Sequence, residues 1–529
     1  MSAIELNFKP RKQQQQILEF VKDSINQDKK FIMIDAPTGV GKSYAAIMIS
    51  EWYRTEVNKS AKVDILTNSK ILQDQYIKDF NFIADLKGKT NYWCRGQNMT
   101  CGDAEMLGKV TKQQCKICPY KLAKTAWIRK PLSLTNFHLI TSYSMYSDEF
   151  LQERRSKLLI VDEAHGFEEV FCDFVSSVFS KRALAQFDIW DSQMESTLEG
   201  IQNIYDLADY VKSDIVPKLD QKIKMWLEEA NSKRIRSKKM DLVKKANHAD
   251  KAMCKYNRLV KDRENFEKNW IFEKSIDSYG NTKILVEPIW ASIYLQEYFW
   301  SKYDHVIFMS GTILNKDLFS KLMGIDSTGV SYLALPCPFD AKNRPIIYLK
   351  FGKMSYYDKK ETFNRSIPII ERIIEKNKEV KGIIHTSNYE LSTWIQTSIK
   401  DSRLIFHDSD TREKSLTQHI SSEYSTIIVS PSMITGIDLK DDLSRFQIIL
   451  KVPFPNLTSM KIKKRLESNP EWYNWKTLVD ILQAYGRSIR NEKDWAETYI
   501  LDECFDQILN NNVPQYFKEA LKIKKLPKK

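Results

Sequence analysis

A chain of 529 residues with 81 Lys and Arg against 68 Asp and Glu carries a formal net charge of +13, which favours a polyanionic partner, nucleic acid first. Hydrophobic residues at 42% and charged ones at 28% describe a globular protein of about two to four domains. No run approaches the roughly 18 apolar residues that cross a bilayer, and "MSAIELNFKPRKQQQQ" lacks the apolar core of a secretory leader. The expectation is a cytoplasmic protein, without a membrane, whose eight cysteines are reduced.

The first predicted element of consequence is "FIMIDAPTGVGKSYAAIMI": a β-branched strand, a turn-rich loop, then a helical pattern. Ala36, Pro37, Thr38, Gly39, Val40, Gly41, Lys42 and Ser43 fit a phosphate-binding loop, with Ala36 where the first glycine usually stands. Gly39 and Gly41 let backbone amides turn toward phosphate oxygens. Lys42 brings a charge to the β and γ phosphates, and the Ser43 hydroxyl suits Mg²⁺. The helix that follows presents its positive dipole end to the anion.

Four cysteines come next, Cys94, Cys101, Cys115 and Cys118, with six, thirteen and two residues between them. Their spacing is compatible with zinc or with an iron–sulfur cluster, and does not choose between the two. Lys89, Arg95, Lys109, Lys112, Lys116 and Lys121 surround them, as phosphate contacts or as a solvated basic face.

"KLLIVDEAH" then reads as an apolar strand ending in two carboxylates. At the carboxyl end of a strand in an open α/β sheet they face the nucleotide crevice. Asp162 is expected to hold Mg²⁺, and Glu163 to orient and deprotonate water, a role a hydrolase needs. His165 is expected to couple this loop to the neighbouring domain.

Residues 218 to 268 hold sixteen Lys or Arg and eight Asp or Glu. Leu242, Ala246, Ala249, Met253, Tyr256 and Val260 recur every four or three residues there, the seam of a helix packed on another helix. A basic helical insertion is expected over 185–280. The closing "LKIKKLPKK" is expected to be a basic tail, and the short stretch ahead of the first motif to leave no room for an N-terminal nuclease domain.

Read together, these segments resemble the superfamily 2 iron–sulfur DNA helicases of the XPD/DinG type. "PRKQQQQI" is similar to the adenine-reading element, with Arg11 and Gln14 in place. "LTNSKILQDQ", "LKGKTNYWC" and "LTNFHLI" resemble further first-domain segments, and "VIFMSGTIL" the Ser-Ala-Thr motif with Gly311 for the alanine. "KGIIHTSNYELSTWI", "SPSMITGIDLKDD", "KVPFPN" and "QAYGRSIRNEKD" resemble the second motor domain's motifs. Where the family usually has an aromatic or Ser-Glu pair before Gly436, "MIT" stands instead.

The resemblance implies an α/β fold of two RecA-like motor domains with an iron–sulfur insertion and a helical arch insertion. Its expected division is 1–184 for the first motor domain, 88–125 for the cluster, 185–280 for the arch, 281–330 for the return segment and 331–529 for the second motor domain. It also implies ATP and Mg²⁺ as cofactors and a [4Fe–4S] cluster on the four cysteines, with Zn²⁺ as the alternative. Gly436 and Asp438 would link ATP to bound nucleic acid. Arg487 and Arg490, three apart, project from one helical face and would act as arginine fingers, with Gln483 reaching the nucleotide or the Walker carboxylate. The implied partners are single-stranded DNA, forked or tailed duplexes and DNA–RNA hybrids, bound by a monomer moving 5′→3′. The alternative is a nucleic-acid-stimulated ATPase that remodels DNA–RNA hybrids or displaces proteins.

Overall fold

The computed structural model describes residues 8–106, 117–146, 148–233, 236–431, 441–486 and 494–525. Strands β1 (Phe31–Asp35), β2 (Val63–Thr67), β3 (Ala84–Asp85), β4 (Leu132–Asn136), β5 (Leu158–Asp162), β9 (His305–Ser310) and β10 (Val330–Ala334) form one parallel sheet in the order β10-β1-β9-β5-β2-β4-β3. Strands β11 (Ile346–Lys350), β12 (Gly382–His385), β13 (Leu404–Phe406), β14 (Ile427–Ser430), β15 (Phe446–Ile449), β16 (Glu497–Ile500) and β17 (Leu521–Lys525) form a second, ordered β13-β14-β12-β15-β16-β11-β17.

Both sheets are covered on both faces, as parallel sheets must be. Along β1 the alternation is direct: Ile32 and Ile34 join one core with Ile17, Ala45 and Ile49 from the covering helices. Met33 points to the other face, among Leu66, Val161, Phe167 and Phe308. The central strands β1, β5 and β9 are largely apolar because neither of their faces meets water. This is the α/β architecture of two parallel-sheet units that the resemblance implied.

Strand β10 pairs with β1, so the return segment of the first unit runs on through Ala334. The 185–280 insertion is helical over most of its length. Helix Arg236–Lys261 packs on helix Val216–Ser232; Ala246, Ala249 and Tyr256 of the first and Leu219, Trp226 and Ala230 of the second are buried. Its end is not helical, however: β7 (Trp270–Ile276) pairs with β8 (Thr282–Pro288), which pairs with β6 (Ser177–Ser180), all antiparallel. Of the expected basic tail, the 521–525 part is corrected, and 526–529 lie outside the described residues. Leu521–Lys525 is an edge strand on β11, and its exposed lysines make that edge unattractive to another strand.

Candidate nucleotide site and cysteine segment

The parallel sheet brings three strand ends to one rim. Asp35 of β1 is in register with Ser310 of β9, and Asp162 of β5 with Met309. From β1 the chain turns through the 36–43 loop, the expected phosphate loop, into helix Lys42–Trp52. Gly39 and Gly41 have φ of +85° and +86°, the left-handed region that side chains avoid. A Cβ on Gly41 would also meet the Gln14 amide, and one on Gly39 the Phe339 ring.

Arg11 Nη1 donates to Gly39 O at 2.9 Å, and Gln14 Nε2 to Val40 O at 3.2 Å. These two residues therefore brace the loop while lining the same cavity, whose volume is 430 Å³. Thr38, Gly39, Gly41, Lys42, Ser43, Asp162 and Glu163 line it too. Ala36, Pro37 and Val40 complete the loop: Ala36 N donates to Ser310 O at 2.8 Å, and Ala36 O accepts from Lys42 Nζ at 3.2 Å.

Asp162 is buried and accepts the Tyr76 hydroxyl at 2.8 Å. Burial, then the Glu163 charge, pushes its carboxyl up to about 6. A divalent cation beside Ser43 and Asp162 would relieve that repulsion, so the donor set fits Mg²⁺. Glu163 has φ of 54°, an uncommon conformation for a residue with a side chain, of the kind concentrated at functional sites. Lys42 Nζ stands 3.7 Å from Glu163 Oε1.

From Glu163 a polar chain runs to the second unit. His165 Nδ1 lies 3.4 Å from Glu163 Oε2 and 2.9 Å from Ser310 Oγ. Ser310 Oγ is 3.1 Å from Thr312 Oγ1, to which Gln483 Nε2 donates at 3.3 Å. Burial pushes His165 down to about 4, so the imidazole is neutral near pH 7. The phosphate loop itself touches the second unit, since a Cβ on Gly486 would meet Thr38 Oγ1 at 2.9 Å. Gln483 thus reaches the site through Thr312. Arg487, Arg490, Gly436 and Asp438 lie outside the described residues. Sequence reasoning missed Tyr76 and Phe339, for which no local pattern gives a signal.

Cys94, Cys101 and Cys118 lie near one another, while Cys115 falls outside the described residues. Cys101 Sγ and Cys118 Sγ are 3.7 Å apart. Burial, with Cys118 and Cys94 adding to it, pushes the Cys101 thiol up to about 11. At pH 7 this thiol is protonated, and binding a metal would release its proton. Among the described residues, no three His, Cys, Asp or Glu ligands converge as a metal site, and no helix is long and apolar enough to cross a membrane.

Comparison with known proteins matches residues 7–187 to the res subunit of type III restriction enzymes and residues 370–522 to the helicase C-terminal domain. The ATP-dependent DNA helicase DinG of Photobacterium profundum is 22% identical over 94% of this chain and 93% of its own length. The ATP-dependent DNA helicase XPD of Sulfolobus acidocaldarius is 21% identical, over 93% and 94%. A solved XPD helicase structure superposes with a TM-score of 0.62 at 16% identity, covering 98% of this chain and all of that one. The shared fold is that of two RecA-like domains.

Proposed function

We propose that this DinG/XPD-like helicase, an ATP hydrolase, moves 5′→3′ along single-stranded DNA and separates tailed or forked duplexes, acting as a monomer in the cytoplasm. The observation that carries the reading is the convergence of Lys42, Asp162 and Glu163 on one cavity that a polar chain connects to Gln483 of the second unit. A phosphotransferase has no use for Glu163 or for that connection, whereas a motor needs both.

In this reading Lys42 holds the β and γ phosphates. Ser43 and Asp162 hold Mg²⁺, which neutralises charge on the phosphates when bound. Glu163 takes the proton of the attacking water, and His165 fixes Glu163 from the far side. Arg487 and Arg490 stabilise transition-state charge when the domains close. Gly436 and Asp438 link that closure to the strand.

Cys94, Cys101, Cys115 and Cys118 would hold a [4Fe–4S] cluster, whose bonds supply the rigidity a small insertion cannot draw from a core of its own. Zinc is the second reading, favoured by the 3.7 Å between Cys101 and Cys118 sulfurs, since bonds of about 2.3 Å at tetrahedral angles leave sulfurs about 3.8 Å apart.

Strand displacement on 5′- and 3′-tailed DNA, beside duplexes containing RNA, tests the proposal. Displacement from the 5′ tail alone supports it. ATP turnover stimulated by strands without displacement would instead favour remodelling of hybrids or removal of bound proteins.

A further inference from the structure

Beside the carboxylate loop, a buried ion pair joins the two halves of the chain. Arg465, on helix Met460–Ser468, is 4% exposed although it carries a full charge. Its Nη2 donates to Glu168 Oε1 at 2.8 Å, and its Nε to Ile289 O at 2.7 Å. The guanidinium lies 4.5 Å from the centre of the Trp290 ring and 5.0 Å from that of Trp472. Glu168 accepts from Ala291 N at 3.0 Å as well. One turn before Arg465, Lys461 pairs with Glu287 at 3.2 Å.

The location is what matters. Glu168 stands in the first turn of helix Phe167–Val175, which begins two residues after His165. Helix Met460–Ser468 is followed directly by helix Pro470–Tyr485, whose last turns carry Gln483. Midway along, Trp475 Nε1 donates to Ile313 O at 2.9 Å. Its Trp472, Tyr473, Trp475 and Val479 belong to the core of the first unit, while Leu478, Ile481 and Leu482 belong to a core of the second. The helix is shared by both. Next to the anchor, a 350 Å³ cavity bordered by His165, Glu169, Asn456 and Lys476 lies between the two halves.

Opening the Arg465–Glu168 contact would break the bonds to Glu168 Oε1 and Ile289 O together and expose the Trp290 and Trp472 rings beside the guanidinium. A joint with these simultaneous contacts is suited to stay shut while the nucleotide cleft opens and closes. We propose that Arg465 is a positioning residue for coupling: it fastens the Met460–Tyr485 helix pair to the helix leaving the Asp-Glu-Ala-His segment, so that the Gln483 end of the pair follows that segment and strand binding reaches the hydrolytic groups. The inference rests on the helicase reading, because it presumes that a DNA strand stimulates ATP turnover.

The test is the ratio of strand-stimulated to unstimulated ATP turnover, measured beside the thermal midpoint. Wild type, Arg465→Met, Glu168→Gln, the double variant and Arg465→Lys are compared on one single-stranded oligonucleotide. Each neutral single variant leaves one charge buried alone and lowers the midpoint. The double variant recovers it, because neutral side chains of similar size replace a buried pair at little cost, yet keeps a tenth or less of the stimulation. Arg465→Lys keeps the charge and the fold but loses the planar fork that engages Glu168 and Ile289 O together, so stimulation falls severalfold. Full stimulation in the double variant or in Arg465→Lys overturns the proposal and leaves the pair a structural contact. A wild type that no strand stimulates overturns the helicase reading, and this inference with it.

Discussion

At the nucleotide end, Asp35, Ser310 and Asp162 reach the rim on three adjacent buried strands, and Gln14, Tyr76 and Thr312 brace the loops from distant parts of the chain. The cysteine segment of the same motor unit is held differently. Cys94 N donates to Met99 O at 2.8 Å and Cys101 N to Tyr92 O at 2.6 Å, bonds that close loops of a few residues, while Trp93 lies 59% exposed. One region has its geometry fixed by a sheet that would exist without ligand. The other is held by short local bonds around Cys94 and Cys101, the latter a thiol that burial pushes up to about 11. Binding of nucleotide should therefore survive damage to the cysteines, and duplex separation should not.

The largest effects fall on the first region. Lys42→Ala is expected to abolish ATP turnover, and Glu163→Gln to bind ATP but hydrolyse it about 10²–10⁴-fold more slowly, the span a general base contributes. Nucleotide titration beside a turnover assay checks both. Wild-type turnover in Glu163→Gln would mean that the strained carboxylate is not the base.

Arg487→Ala and Arg490→Ala should each lose about 10³-fold or more in hydrolysis with little loss of ATP affinity, because a finger acts on transition-state charge. Equal losses in affinity and turnover would make them ground-state ligands.

What the sequence exposed and what it hid divide along the same physical line. The phosphate loop and "KLLIVDEAH" are legible because each is a local pattern: a strand, a turn demanding glycine, a carboxylate at a strand's end. Arg465 and Glu168 are 297 positions apart, and neither stands in a pattern that names the other. "LKIKK" read as a tail because its lysines dominate, although Leu521 and Ile523 alternate as a strand requires. Strand β7 falls at the end of the 185–280 segment, whose helical seam dominates its pattern, and β8 lies just beyond it. The helix seam itself was legible, since its spacing carries the packing directly.

The second region yields a prediction of composition. Protein purified without oxygen should be brown and contain about four iron and four sulfide per chain. Stoichiometric zinc in colourless protein, from cells supplied with iron, would replace the cluster with a single ion and leave the motor untouched.

The smallest expected effect separates stability from catalysis at the rim. Burial depresses His165 from 6.5 to about 4, so between those values the unfolded chain binds the proton first. Its contribution is present above pH 6.5 and is lost as pH falls toward 4, amounting to at most about 3 kcal/mol. His165→Asn should flatten the fall in unfolding midpoint between pH 6.5 and 4.5. An unchanged slope would mean that another group sets it.

The contrast between the two regions is tested most directly by one preparation of Cys115→Ser beside wild type, assayed for ATP turnover and for displacement of a strand from a 5′-tailed duplex. The account predicts that the variant loses the bound metal and most displacement while keeping much of its ATP turnover. Loss of both activities in parallel, or displacement at the wild-type rate, would contradict it.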